Sequence, residues 1–139
     1  MKIIGIDLDG TITSHGFYNP NIPLPWWLWY FLIPFVLLSK PKKAIVKKMQ
    51  LMAAQGYQFV ILTRRPEQFS QFTERRLKPH CVPHLKLFCV GIGRGANERK
   101  LKIVQEQKIE RFVDSDKRIV RFMRRNSVNA VNSLDEFFD

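Results

Sequence analysis

Two aspartates near the N-terminus, Asp7 and Asp9, have the type and spacing of residues that act together on one ligand. They follow the apolar run at residues 3–6, and Leu8 separates them. Side chains two positions apart point the same way while a strand continues, so both carboxylates would share one face. Two carboxylates at the end of a buried strand repel each other unless a cation or a proton relieves them. The pair therefore indicates a functional site, and the alternative is an ordinary strand end with an Asp-Gly turn.

The residues after this pair suit a turn that approaches a ligand. Gly10 lets the backbone bend closely, and Thr11 offers a hydroxyl and an amide there. Two later apolar runs also end in polar residues. The run at 57–62 leads to Thr63, and the run at 109–113 leads to Asp114. These positions are the further candidates for chemistry.

The elements that must position these residues alternate between strands and helices. The patterns predict strands that open the chain and recur at 57–62, 85–90, 109–113 and 128–131, with helices at 41–55, 66–78, 97–107 and after Asp116. Such alternation is typical of parallel βαβ units. Ligand sites of these sheets lie beyond the carboxyl ends of the strands. We therefore expect one edge of the sheet to gather Asp7, Asp9, Thr63 and Asp114.

The order of these motifs resembles the haloacid dehalogenase (HAD) superfamily over nearly the whole chain apart from residues 17–43. The run Asp7-Leu8-Asp9-Gly10-Thr11 resembles the first signature of that superfamily, and Thr63, Lys100 and Asp114 match the other three in order. The stretch Thr63-Arg64-Arg65-Pro66-Glu67 is similar to a nucleotidase-related subgroup of small phosphatases. The expected fold is a single α/β domain over residues 1–139. It would be a three-layer Rossmann-like core with a mostly parallel five-stranded sheet and an apolar insert after the first strand.

The resemblance implies an Mg²⁺-dependent phosphatase that works through an aspartyl-phosphate. It implies catalytic roles for Asp7, Asp9, Thr63 and Lys100, metal binding by Asp7, Asp9 and Asp114, and substrate binding by Gly10, Thr11, Arg64 and Arg65. Lys102 competes for the lysine role, and two residues apart the lysines cannot share a helix face. Asp116 would be either a partner of the metal site or the N-cap of the next helix. Arg65 could contact substrate or be a solvated or salt-bridged arginine.

Residues 17–43 form the predicted cap-like insert. No charged residue occurs from position 16 to position 39, and the tryptophans Trp26, Trp27 and Trp29 precede the lysines Lys40, Lys42 and Lys43. A spanning helix needs about 20 apolar residues, and this run is shorter and broken by proline. The remaining interpretations are burial against the core, a homo-oligomer contact, contact with an anionic membrane surface, and a lid that shapes the substrate site. An apolar lid favours a substrate with an apolar part.

The overall composition indicates which binding partners and which cellular compartment are favoured. The formal net charge of +11 favours anionic partners, of which a phosphorylated small molecule is preferred and nucleic acid is not excluded. Two cysteines and no visible secretory signal predict a cytoplasmic protein, with membrane-peripheral attachment as the alternative. The group His80, Cys81, His84 and Cys89 has the chemistry of a zinc site, but its placement favours a loop histidine pair with buried cysteines. The alternative functions are a nucleotide or polynucleotide-end phosphatase and a non-catalytic scaffold.

Overall fold

The computed structural model describes residues 2–13, 28, 31, 39–91 and 93–137. The strands are β1 (Lys2–Asp7), β2 (Tyr57–Thr63), β3 (Lys86–Cys89), β4 (Arg111–Val113) and β5 (Asn129–Val131). The helices are α1 (Lys43–Ala54), α2 (Ser70–Leu77), α3 (Ala96–Glu106) and α4 (Lys117–Arg125). Strands and helices alternate after the first strand, as the sequence pattern predicts.

The five strands form one sheet in the order β3-β2-β1-β4-β5. Every neighbouring pair in it is parallel, so the sheet is entirely rather than mostly parallel. The long central pair runs from Lys2 opposite Tyr57 to Asp7 opposite Leu62. The predicted α/β fold class is confirmed, and β1 lies between the two strands that end near Thr63 and Asp114.

Side chains along β1 and β2 point alternately to the two faces of the sheet, so the core forms two apolar layers. Ile4 and Ile6 pack with residues of α1 and α2 on one face of the sheet. Val60 and Leu62 pack with residues of α3 and α4 on the opposite face. Side chains of successive strand residues point to opposite faces, which is why each central strand contributes to both layers. The result is the predicted three-layer arrangement, with Asp7 on the α3 side by strand parity.

Two predicted boundaries are wrong. The helix expected from Pro66 begins as α2 at Ser70, because Pro66 is extended with ψ 145° and a short 3₁₀ turn at Glu67–Phe69 follows it. The fourth strand was expected from residue 109 and starts at Arg111. Ile109 donates its backbone N–H to the Val104 carbonyl at 3.0 Å, so it closes the end of α3 instead of pairing in the sheet.

The chain leaves and rejoins the core at adjacent points around the expected insert. Thr13 forms an isolated antiparallel bridge with Pro41, and the Lys42 N–H donates to the Ile12 carbonyl at 2.8 Å. The expectations for Trp26, Trp27 and Trp29 lie outside the described residues, whereas Lys40, Lys42 and Lys43 are described and exposed. Among the helices of the described ranges, none has the length and apolar character that crossing a membrane requires.

Candidate active site

Three neighbouring strand ends form the base of the candidate site. In the sheet order, β1 lies between β2 and β4, so Asp7 at the end of β1 is flanked by Thr63 and by Asp114, which follows β4 directly. All three residues are buried, with exposed fractions of 7%, 0% and 1%. Buried polar groups at one edge of a sheet must satisfy one another or a ligand.

Lys100 joins the carboxylates of the first and fourth signatures. Its Nζ donates to Asp7 Oδ1 at 2.8 Å and to Asp114 Oδ2 at 3.2 Å, and the lysine is fully buried. The competing Lys102 has a side chain that is 75% exposed and pairs with Glu106 at 3.9 Å. Of the two lysines, the structure therefore brings Lys100 to the site and leaves Lys102 on the surface.

Helical periodicity explains why Lys100 reaches this position. The buried residues of α3 are Ala96, Lys100 and Val104, which recur every four positions on the face that packs against the sheet. The Lys100 ammonium also lies 5.8 Å from the centre of the Phe112 ring on β4. The long aliphatic stem crosses the apolar layer while the charge meets the two carboxylates.

Asp9 belongs to a second polar group, built with Arg65. Arg65 Nη2 donates to Asp9 Oδ1 at 2.7 Å and its Nε donates to Asp9 Oδ2 at 3.0 Å, which makes a bidentate pair. Thr63 Oγ1 donates to Asp9 Oδ2 at 3.3 Å. Arg65 Nη1 donates to Thr73 on α2 at 3.1 Å, and the Arg65 side chain is 2% exposed. The arginine is thus a buried ion-pair partner of Asp9.

The two acids of the first signature consequently have different partners. β1 ends at Asp7, so the alternation that would align Asp7 with Asp9 does not continue. Asp9 is extended at φ −76° and ψ 119°, and Gly10 has φ 85°, a left-handed conformation that favours glycine. This turn places Asp7 with Lys100 and Asp9 with Arg65.

Hydroxyl and amide groups tie the loops after β1 and β4 together. Thr11 Oγ1 accepts from the Ser115 backbone N–H at 3.0 Å and donates to Asp7 Oδ2 at 3.4 Å. Asn132 after β5 donates to the Asp114 carbonyl at 3.1 Å. The sequence assigned no role at the site to Ser115, Asn132 or Thr73. Each follows a strand end or lies on a helix, and only the packing of distant elements makes them neighbours of the site.

Asp116 acts as the N-cap of α4. Its carboxylate accepts from the Arg118 backbone N–H at 2.9 Å, while its own backbone N–H donates to Asp114 Oδ1 at 2.9 Å. A side-chain oxygen in this position satisfies one of the unpaired amides at a helix start. Between the two roles that the sequence left open, the geometry of the carboxylate is that of the cap.

Arg64 lies just beyond the end of β2 and has a different partner from Thr63 and Arg65. Its Nη2 donates to Asn97 Oδ1 at 2.8 Å, at the first turn of α3, and the residue is 7% exposed. Asn97 was not identified from the sequence. The four residues expected to bind substrate thus divide into the turn residues Gly10 and Thr11, the ion-paired Arg65, and an arginine bound to an amide.

Burial and charge shift the proton affinities of the site. Burial raises the pKa of Asp9, and the Arg65 guanidinium opposes this rise. Burial and the charge of Asp7 raise the pKa of Asp114 to about 7, against the lowering effect of Lys100. Burial favours a lower pKa for Lys100, but the charges of Asp7 and Asp114 outweigh it and the pKa is raised. Lys100 therefore stays protonated, while Asp114 takes up or releases a proton near neutral pH.

The donor chemistry at Asp7 and Asp114 fits a hard divalent cation. Two buried carboxylates share one ammonium, which leaves one negative charge that a cation would balance. Oxygen donors of this kind suit Mg²⁺. In the ranges that the structure describes, no three His, Cys, Asp or Glu side chains form a group that could hold a metal ion. A metal here would use two carboxylates together with backbone carbonyl, ligand or water oxygens.

The histidine and cysteine group has a separate structural arrangement. His84 Nε2 lies 2.7 Å from Glu74 Oε2, and its Nδ1 lies 2.9 Å from the Val82 carbonyl oxygen. The expectation of buried cysteines is wrong for Cys81, which is exposed just after the 3₁₀ turn Lys78–His80, whereas burial raises the pKa of the Cys89 thiol to about 11. Both ring nitrogens of His84 are engaged, which agrees with its interpretation as a loop histidine.

Comparison with solved structures identifies the fold. The HAD domain of the effector protein Lem4 from Legionella pneumophila matches with a TM-score of 0.54 and 16% identity, covering 99% of this chain and 90% of that chain. The chain has the HAD fold. The resemblance inferred from the four signatures is confirmed at the level of this fold, and the signature residues Asp7, Thr63, Lys100 and Asp114 lie together in it.

Two further solved structures are similar to this chain in fold. A chain of the Pnkp1/Rnl/Hen1 RNA repair complex matches with a TM-score of 0.71 and 18% identity over 94% of this chain, which spans 41% of that one. The D,D-heptose 1.7-bisphosphate phosphatase from B. bronchiseptica, complexed with magnesium and phosphate, matches with a TM-score of 0.55 and 14% identity. The match covers 94% of this chain and 79% of the phosphatase.

No protein-family model matches the chain, and no curated protein matches it.

Proposed function

We propose that this chain is an Mg²⁺-dependent phosphatase that hydrolyses phosphoric monoesters through an aspartyl-phosphate at Asp7. The observation that carries the proposal is the convergence of Asp7 and Asp114 on the buried ammonium of Lys100 at the carboxyl edge of the sheet. Burying such a cluster is costly, so a binding function accounts for it better than folding does. The phosphatase with bound magnesium and phosphate among the HAD-fold structures gives further support.

Asp7 is the proposed nucleophile. One of its carboxylate oxygens attacks the substrate phosphorus, the bond from phosphorus to the leaving oxygen breaks, and a phosphoryl group remains on Asp7. Oδ1 is held by Lys100 at 2.8 Å, whereas Oδ2 accepts the longer hydrogen bond of 3.4 Å from Thr11. Oδ2 is therefore the oxygen that we assign to the attack.

Asp9 is the proposed general acid and base. It gives its proton to the leaving alkoxide, and it takes a proton from the water that later hydrolyses the aspartyl-phosphate and releases inorganic phosphate. Burial raises the pKa of Asp9, which favours the acid form, and Arg65 opposes that rise, which keeps the base form accessible. Arg65 thus has a positioning and tuning role, with its guanidinium on both carboxylate oxygens of Asp9.

Lys100, Thr63 and the Gly10–Thr11 turn are the proposed ligands of the phosphoryl oxygens. Positive charge and donors fixed in a buried site stabilise the charge that develops during transfer. Lys100 already lies within 2.8 Å of the proposed nucleophile, and the Thr63 hydroxyl can rotate from Asp9 toward a bound phosphate. Asp7, Asp114 and the backbone carbonyl of Asp9 would hold Mg²⁺. The ion would neutralise phosphate charge and so ease the approach of the carboxylate.

We propose that residues 17–43 form the cap of a single domain. Thr13 and Pro41, which lie on either side of the apolar part of this insert, form a bridge, and the Gly10 N–H donates to Thr13 Oγ1 at 3.4 Å. The segment is therefore anchored on the same turn that carries Asp9. Because its sequence is apolar, we propose that it contacts an apolar part of the substrate, with a membrane surface or a second copy as other contacts of that segment.

Phosphate release from p-nitrophenyl phosphate, nucleotides and lipid phosphates tests the proposal. We expect release with Mg²⁺, loss of release with a chelator, and release at background for Asp7→Asn. The matched control is Asp135→Asn, because Asp135 is a surface acid paired with Lys48. Equal turnover by wild type and Asp7→Asn would refute the mechanism. Ligand binding without turnover of any ester would support the scaffold function, and turnover of nucleotides alone would support the nucleotide phosphatase.

A further inference from the structure

We propose that Arg64 binds a second anionic group of the substrate, next to the phosphate that Asp7 attacks. The proposal rests on the phosphatase function and names the substrate class. That class is phosphoric monoesters that carry another phosphate or a carboxylate close to the reactive phosphate. Arg64 would be a specificity-determining residue of the site.

Arg64 is a buried cation whose charge has no carboxylate partner among the described residues. It is 7% exposed, and its Nη2 donates to the neutral Asn97 side chain at 2.8 Å. Its Nε is buried and has no hydrogen-bond partner in the described part of the chain. The other two buried cations of this edge are ion-paired, Arg65 with Asp9 and Lys100 with Asp7 and Asp114. A buried charge without a counterion is costly, so an anionic ligand would be stabilising there.

The backbone explains why Arg64 faces α3. Val60 and Leu62 pack in the layer formed with α3 and α4, and Arg64 continues that parity just beyond β2. Thr63 and Arg65 lie on the alternate positions and bind Asp9 instead.

The position of Asn97 places Arg64 farther out than Lys100. α3 starts after the carboxyl end of β3, so its first turn is at the mouth of the site and later turns lie deeper. Asn97 precedes Lys100 by three residues, which corresponds to about 4.5 Å along a helix axis. A guanidinium held by Asn97 is therefore suited to bind an anionic group that lies nearer the mouth of the site than the phosphate that Lys100 would contact.

The chemistry of the side chain suits this role. Asn97 accepts from Nη2, while Nε is buried and has no hydrogen-bond partner among the described residues, so an anion would bind through the remaining Nη hydrogens of the planar group. A guanidinium binds phosphate or carboxylate through paired donors, and burial strengthens such contacts. The hydrogen bond to Asn97 therefore orients Arg64, and because Asn97 is neutral, it does not neutralise the charge of the guanidinium.

The test compares ligands that differ by one anionic group. Adenosine 3′-monophosphate is compared with adenosine 3′,5′-bisphosphate, and glycerol 2-phosphate with 2-phosphoglycerate. Titration calorimetry on the non-hydrolysing Asp7→Asn protein with Mg²⁺ gives Kd for each. We expect about ten- to hundredfold tighter binding of the doubly anionic member of one or both pairs, and loss of that preference in Arg64→Gln. The nucleotide pair tests a second phosphate and the glycerol pair tests a carboxylate.

Control variants separate this role from a structural one. Arg94→Gln removes the same charge from an exposed position of the neighbouring loop, and it should keep the preference. Asn97→Ala retains the charge of Arg64 and removes its support, so the preference should fall, and this variant replaces Arg64→Gln if that protein does not fold. Equal binding of both members in both pairs, or a preference unchanged in the Arg64→Gln or Asn97→Ala protein, would overturn the proposal.

Turnover by the wild-type enzyme keeps the two proposals distinguishable. Hydrolysis of both members of each pair with the same kcat/KM would leave the phosphatase intact and refute the role of Arg64. Binding that depends on Arg64 without any hydrolysis would instead refute the phosphatase while retaining the anion site. A preference in kcat/KM that Arg64→Gln removes, as in binding, would support both.

Discussion

Replacing Lys100 with methionine should destabilise the protein in a way that depends on pH. The ammonium is fully buried and lies 2.8 Å from Asp7 and 3.2 Å from Asp114. Methionine can occupy the path of the aliphatic stem, so the change removes the charge and keeps most of the packing. Two buried carboxylates are then left without their cation.

The size of this loss follows from general values for buried ion pairs. Removing one partner of a buried ion pair costs about 3–5 kcal/mol, because the other charge stays buried without compensation. Part of that cost is relieved when a carboxylate takes up a proton. Asp114 is the group that will do so, since burial and the charge of Asp7 already raise its pKa to about 7.

The pH dependence follows from the proton that the folded protein holds. Between the ordinary value of 3.8 and about 7, folded Asp114 keeps a proton that the unfolded chain has released, so stability falls as the pH rises through this window. Without Lys100 the pKa of Asp114 rises further, so the pH range in which stability falls extends to higher pH. Each pH unit added to that range lowers the free energy of unfolding by about 1.4 kcal/mol. The loss caused by Lys100→Met should therefore be about 1 kcal/mol larger at pH 8 than at pH 6.

Urea unfolding in the presence of a chelator, at pH 6 and pH 8, measures these differences. Lys102→Met is the matched control, because that side chain is 75% exposed and forms only a long pair with Glu106. Its expected effect is below about 0.5 kcal/mol at either pH. A loss for Lys100→Met that is below about 1 kcal/mol, or that is equal at both pH values, would refute the assignment of Lys100 as the buried counterion.

Three further predictions concern other polar groups of the site and its proposed metal ion. Arg65→Gln should lower the free energy of unfolding by about 3–5 kcal/mol in urea titrations, because Asp9 then loses its buried bidentate partner. Asp116→Ala should lower the free energy of unfolding by about 1 kcal/mol, because the Arg118 N–H at the start of α4 loses its capping acceptor. Magnesium-dependent turnover should be unchanged. Added Mg²⁺ should raise Tm more at pH 8 than at pH 6, because the ion must displace the proton that Asp114 holds below about pH 7.

Each of these predictions has a specific contradiction. Arg121→Gln, at an exposed position of α4, is the control for Arg65→Gln, and equal small losses in both would argue against a strong buried pair. Loss of magnesium-dependent turnover in folded Asp116→Ala would show that this carboxylate belongs to the metal site. A Tm increase with Mg²⁺ that is the same at both pH values, or absent in wild type, would argue against metal binding at Asp114.

Much of the fold was accessible from the sequence because parallel strands have a simple geometry. Asp7, Thr63 and Asp114 each stand at the end of an apolar run, and such ends meet at one edge when the strands are parallel. Lys100 was chosen only by its resemblance to the third signature, with Lys102 left open, and the buried positions Ala96, Lys100 and Val104 of α3 now distinguish the two lysines. The inferences about the strand ends need only periodicity and strand direction, which are local properties.

The partners of the polar side chains depended on packing that no local pattern specifies. The spacing of Asp7 and Asp9 suggested a shared face, but β1 ends at Asp7 and the turn at Gly10 takes Asp9 to Arg65. For Arg65 the sequence left substrate contact and ion pairing open, and its neighbours were decided by the approach of α2 through Thr73. Asn97 resembles any surface amide until the position of α3 is known.

The most direct test of the account is to isolate the covalent intermediate. Wild-type protein is mixed with a phosphomonoester and Mg²⁺, quenched in acid within the first turnover, and digested for mass spectrometry. We expect a peptide that contains Asp7 with the added mass of one phosphoryl group, and no such peptide from Asp7→Asn. Turnover with the phosphoryl group on another residue, or with no labelled peptide at any quench time, would contradict the proposed nucleophile.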